Sequence, residues 1–159
     1  MNVVSSGALF SECKKYRYSL WREWEPNATR VTFIGLNPST ADETVNDPTI
    51  RRCIGYAKDW GYGGINMLNL FAYRSTDPKG LTKVEDPVGA LNNFYLESTA
   101  RTGFVVAAWG THGTLNNREE EVLLLLNNKL HHLGLTKNGH PKHPLYLPKN
   151  IKPTKWMGV

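Results

Sequence analysis

Three short segments hold the chain's densest polar chemistry: Gly35-Leu36-Asn37-Pro38-Ser39-Thr40-Ala41-Asp42, the lone Asn69 between two leucines, and His143-Pro144-Leu145-Tyr146-Leu147. A carboxamide can orient a water molecule but is too weak a base to take its proton. A carboxylate can take it, and an imidazole can donate to a developing oxyanion. Asp42 and Asp47 are carboxylates in the stretch that follows Asn37. Asn69, with one acceptor and two donors, can pair the hydrogen-bonding edge of a pyrimidine. Buried without a partner, such an amide would cost about 1–3 kcal/mol, so Asn69 either caps a loop or reads a ligand. A Gly-rich phosphate loop, a Ser-His-Asp order and a cysteine-nucleophile signature are all missing. His131 and His132 have no partner at metal-ligand spacing, so neither a metal nor another cofactor is expected.

The elements that must position these groups alternate along the chain. Residues 16–24 alternate apolar with polar side chains, the period of a half-exposed strand at a sheet edge. RVTFIGL (30–36) reads as a buried strand ending at Asn37-Pro38. Asp47-Pro48 supplies an N-cap and a first-turn proline for a helix to about Trp60, stopped by Gly61 and Gly63-Gly64. INMLNLF (65–71) is a second buried strand. The loop 72–87 reads as a functional surface loop. A helix over 88–101, a strand FVVAAW (104–109), a helix over 115–129 and a short strand near 131–135 follow. Strands separated by helices imply an α/β three-layer sandwich with a mostly parallel central sheet, one domain over 1–159. In such sheets ligands bind beyond the carboxyl ends of the strands, which points to the loops 37–47, 71–77, 110–114 and 140–147.

Composition narrows the class. With 159 residues, 40% hydrophobic and 21% charged, the chain fits a globular domain rather than a disordered or fibrous one. Its apolar runs fall far short of the ~20 residues that cross a bilayer, and the N-terminus has no secretory pattern, so a cytoplasmic location away from membranes is expected. Cys13 and Cys53 lie far apart and read as buried free thiols. The net charge of +5 is unevenly spread: residues 122–159 carry six lysines, four histidines and no carboxylate. Such a segment either keeps the protein solvated or meets a polyanion such as nucleic acid.

The blocks GLNPSTAD, DPTIRRC, NLFAYR and HPLYL resemble an uncharacterised family of bacteria and phages. More distantly, Gly35, Asn37 and Pro38, then Asn69, Trp109-Gly110 and His143-Pro144, resemble in order the motifs of the uracil-DNA glycosylase superfamily, especially its mismatch-specific and single-strand-selective branches. That resemblance implies a uracil-DNA-glycosylase-like fold and cleavage or recognition of a pyrimidine base in DNA, single-stranded DNA included. Where those glycosylases place a serine after the His-Pro step, Leu145 stands here, so their phosphate pinch has no counterpart.

On this reading Asn37 holds water, Asp42 or Asp47 assists it, and His143 donates to the leaving base. Asn69 pairs the base; Phe71, Tyr73 or Tyr62 stacks on it; and Ser39 leaves room for a substituent at C5. Leu145, Tyr146 or Leu147 fills the vacated stack, while Arg51, Arg52, Arg74, Lys142 and Lys149 meet the backbone phosphates. Plainer roles are open for several of these residues: Asn37-Pro38 as a turn, Asp47 as a helix cap, Trp60, Tyr62, Phe71 and Tyr73 as packing. Two other functions are also open, a hydrolase or binder of a free nucleoside or nucleotide and a non-catalytic nucleic-acid-binding module. The sequence does not give the oligomeric state.

Overall fold

A computed structural model describes residues 3–101 and 103–156. Seven strands form one sheet: β1 (Ser5–Phe10), β2 (Arg17–Glu23), β3 (Arg30–Gly35), β4 (Gly64–Asn69), β5 (Val105–Ala107), β6 (Leu130–His132) and β7 (Thr154–Trp156), in the order β1-β2-β4-β3-β5-β6-β7. The helices are α1 (Pro48–Asp59), α2 (Asn92–Ala100) and α3 (Arg118–Leu125). The fold is therefore mixed α/β.

The expectation of a mostly parallel sheet is corrected. Strands β4, β3, β5 and β6 pair in parallel, but β1–β2, β2–β4 and β6–β7 are antiparallel. The turn after β1 is too short for a crossover, so β2 must return antiparallel. Lys14, at φ 64°, supplies that turn's left-handed residue. β2 is not an edge strand either, since β1 pairs with it, and its two faces are covered: Tyr18 stacks on Tyr95 of α2, Leu20 joins the α1 core and Arg17 reaches the Ala41 carbonyl.

Alternation along the central strands sends side chains to two cores. Val31, Phe33, Val106 and Ala108 pack with Ile50, Cys53, Tyr56 and Ala57 of α1. Ile34, Leu68, Val105 and Ala107 pack with Leu96 and Ala100 of α2 and Val122 and Leu123 of α3. The helices thus cover opposite faces. Helix α1 starts where its cap predicts, with the Asp47 carboxylate accepting the Ile50 N–H at 2.9 Å. Helix α3 is shorter than expected because left-handed asparagine pairs bracket it, Asn116-Asn117 before and Asn127-Asn128 after. Among the described residues no helix is long and apolar enough to cross a membrane.

Candidate functional site

In the parallel core, chain order places the second strand outside the first and the third on its other side. The connections leaving β3 and β5 therefore diverge, which opens a crevice at their carboxyl ends. A cavity of about 380 Å³ lies there. Asn37, Ser39, Asp47, Asn69 and His143 all line it, together with Arg17, Trp109 and His112. Residues from both ends of the sequence thus meet on one surface.

Each of these groups is held in a particular state. Asn37 spends its amide nitrogen on the carbonyls of Pro38 (3.1 Å) and Ser75 (2.8 Å), and its oxygen accepts no bond among the described residues. The 72–87 loop is thereby tied to the β3 loop, a bond repeated by Ser75 N–H donating to the Pro38 carbonyl. Asp47 uses one oxygen to cap α1. His143 sits at the exposed rim, where its Nδ1 accepts the Leu145 N–H at 3.2 Å, so the neutral ring carries its proton on Nε2. Desolvation of the ring lowers the His143 pKa, only partly opposed by the Asp47 charge, so the neutral form prevails at pH 7.

Asn69 ends β4 opposite Gly35 and is 2% exposed. A side chain on Gly35 would lie 2.9 Å from the Asn69 amide oxygen, so only glycine admits this amide. Among the described residues its nitrogen has no hydrogen-bond partner. Trp109 also borders the cavity, with its side chain buried in the core against Trp156. Its indole N–H donates to Glu119 at 2.9 Å, and the same carboxylate meets His140 Nδ1 at 3.1 Å. Gly110, at φ 74°, donates its N–H to Pro141 and brings the end of β5 beside His143.

Other expected residues lie elsewhere. Asp42 is outside the cavity: its carboxylate accepts the Thr44 and Val45 N–H groups, and these bonds lower its pKa. Phe71 is wholly buried in the core beneath α2 and α3. Trp60 stacks on Phe33 and Tyr56, and Tyr62 packs on Phe104. Tyr73 packs edge-on against Tyr16 and lines a shallow groove of about 310 Å³ with Lys14, Lys15 and Arg74. Ser39, Ser75 and Thr76 border both that groove and the cavity.

The remaining backbone candidates divide. Arg51, Arg52 and Lys149 border a separate depression with Tyr56 and Asp59, in which Arg52 donates to the Leu147 carbonyl and the Tyr56 hydroxyl. Lys142 is exposed, with its stem against Gly134. Cys53 is buried as expected, whereas Cys13 is exposed on the β1–β2 turn, where no core element reaches it.

The sequence reading missed Arg17. The alternation of residues 16–24 assigned it to solvent, but it is 2% exposed at the cavity wall, bonded to the Ala41 carbonyl of the loop after β3. Burial lowers its pKa to about 10, opposed by the Asp47 charge, so it remains cationic at neutral pH. A family model described as "Protein of unknown function (DUF1643)" matches residues 17–145. No curated protein and no solved structure matches the chain.

Proposed function

We propose, for a chain that belongs to the DUF1643 family, a uracil-DNA-glycosylase-like role: hydrolysis of the bond between a pyrimidine base and its deoxyribose in DNA. The observation that carries this reading is the convergence of Asn37, Asn69 and His143 on one cavity at the carboxyl edge of the sheet.

Each role follows from the state of the group. The amide oxygen of Asn37 accepts a bond from the attacking water. Asp47, which reaches the same cavity while Asp42 does not, takes the water's proton with the oxygen not engaged at the helix cap. The C1′–N bond breaks as the C1′–O bond forms, and the base leaves as an anion whose oxygen is met by the Nε2–H of His143. Asn69 pairs the base edge. Ser39, small and on the wall, leaves space for a C5 substituent such as the methyl of thymine. The groove of Lys14, Lys15 and Arg74 adjoins the cavity and has no carboxylate in its lining, which suits the phosphates of a strand whose base is turned inward.

The test is incubation with a panel of oligonucleotides bearing uracil, thymine mismatches and C5-modified pyrimidines, followed by alkali cleavage at abasic sites. Scission is expected for at least one base. Asn37→Ala and His143→Ala should each cut the rate by two orders of magnitude or more. An abasic product that survives both substitutions overturns the assignment.

A further inference from the structure

Strand β2 buries two arginines that reach toward the same loop, and their bonding differs sharply. Arg22 is saturated: Nε donates to Asn46 Oδ1, Nη1 to the Gly7 and Trp21 carbonyls, and Nη2 to the Asp42 and Val45 carbonyls. It is a structural brace. Among the described residues Arg17 makes one side-chain bond, from Nη1 to the Ala41 carbonyl at 3.1 Å, and its buried Nε has no partner. Among the described residues it forms no ion pair.

A buried guanidinium without an ion pair is costly, because desolvation is offset only in part by the Asp47 charge and not by a full set of acceptors. The cost has a use where a ligand supplies the missing anion. Arg17 lines the cavity that holds Asn69, whose buried amide nitrogen is also unpartnered among the described residues. Those two orphaned nitrogens are enclosed, whereas among the described residues Arg17 Nη2 makes no bond and is not enclosed, so it is the donor left to meet a ligand's acceptor. The cavity, at about 380 Å³, is also roomier than one flat pyrimidine ring requires.

We infer that Arg17 forms an anion subsite within the cavity, so that the unit bound is a whole nucleotide, with its base at Asn69 and its phosphate at Arg17. This rests on the pyrimidine-recognition reading above and adds the phosphate to it. The guanidinium presents a planar fork that a phosphate can meet with two oxygens. A lysine would keep the charge and lose the fork.

The test is titration of the full-length protein with thymidine 5′-monophosphate, thymidine, inorganic phosphate and oligothymidylate, read by calorimetry and by quenching of tryptophan fluorescence. The monophosphate should bind at least tenfold more tightly than thymidine. That preference should fall to about unity in Arg17→Gln, persist in part in Arg17→Lys, and survive in Asn69→Ala, where both ligands weaken together. Oligothymidylate that competes with the monophosphate and also weakens in Arg17→Gln places the phosphate in a polymer; binding of the monophosphate alone places it in a free nucleotide. Equal wild-type affinity for thymidine and its monophosphate overturns the subsite and leaves base recognition standing. Arg17-dependent stabilisation by inorganic phosphate, with neither thymidine ligand bound, upholds the subsite and overturns base recognition. If Arg17→Gln fails to fold, the wild-type ratio and Arg17→Lys decide, and absence of binding by all four probes overturns the subsite.

Discussion

Gly35 and Asn69 are register partners on adjacent parallel strands, and the amide oxygen of Asn69 occupies the space that a Cβ on Gly35 would need. The glycine is thus part of how this buried amide is placed. Gly35→Ala should displace Asn69 and weaken thymidine 5′-monophosphate binding by roughly 10- to 100-fold, the worth of a lost buried hydrogen bond or two. It should also lower the melting temperature through overpacking. In an Asn69→Ala background the same substitution should cost less stability, because the remaining close neighbour, the Met67 methyl, is flexible. Equal costs in both backgrounds would refute the contact.

Tyr146 follows His143-Pro144 and is 88% exposed, an unusual position for a tyrosine three residues from the cavity rim. It suits the filling of a gap left by an extruded base. Tyr146→Ala should weaken oligonucleotide binding by roughly tenfold, within the ~1–3 kcal/mol of one stacked base, and leave mononucleotide affinity unchanged. Calorimetry with both ligands checks this; parallel losses would assign Tyr146 to the cavity itself.

The two thiols should react very differently. Burial pushes the Cys53 thiol well above its ordinary range, whereas the Ser11 hydroxyl beside exposed Cys13 lowers its pKa. A thiol reagent should modify one cysteine in the native protein, identified as Cys13 by peptide mapping, and two in denaturant. Rapid native modification of Cys53 would show that α1 opens from the sheet.

Stability should fall on mild acidification. His131, His132 and His143 have pKa values held below the ordinary 6.5, chiefly by desolvation. In the window between those depressed values and 6.5 the unfolded chain binds more protons than the folded one, so stability rises with pH and is lost as pH drops. The melting temperature should therefore decline from pH 7.5 to 5.5. His131→Gln together with His132→Gln should flatten the slope, and a profile rising toward pH 5.5 would contradict it.

Much of the scaffold was legible because its signals are local. Asp47-Pro48 announces α1, and the apolar runs at 30–36 and 65–71 became β3 and β4. The edges were not legible. Gly7 sits under the Trp21 ring in the middle of β1, where a side chain would collide, and a glycine there erases the alternation that marks a strand. β7 hides in a lysine-rich segment, and only Trp156 shows that it is buried. A long-range contact likewise concealed Arg17, since a polar residue in an alternating run looks solvent-facing until a distant loop folds over it. For the site, the amide and imidazole candidates were readable by type. Their supports, such as Ser75 holding Asn37 and Gly35 admitting Asn69, depend on long-range contacts with no local pattern.

Glu119 is almost wholly buried, yet it serves two masters, the indole of Trp109 and the imidazole of His140. One belongs to the wall of the hollow, the other to the loop that delivers His143. Neither can shift without disturbing the carboxylate they share, so the far end of the chain is mechanically geared to the sheet. Light emitted by that indole would consequently register the posture of a segment it does not itself belong to.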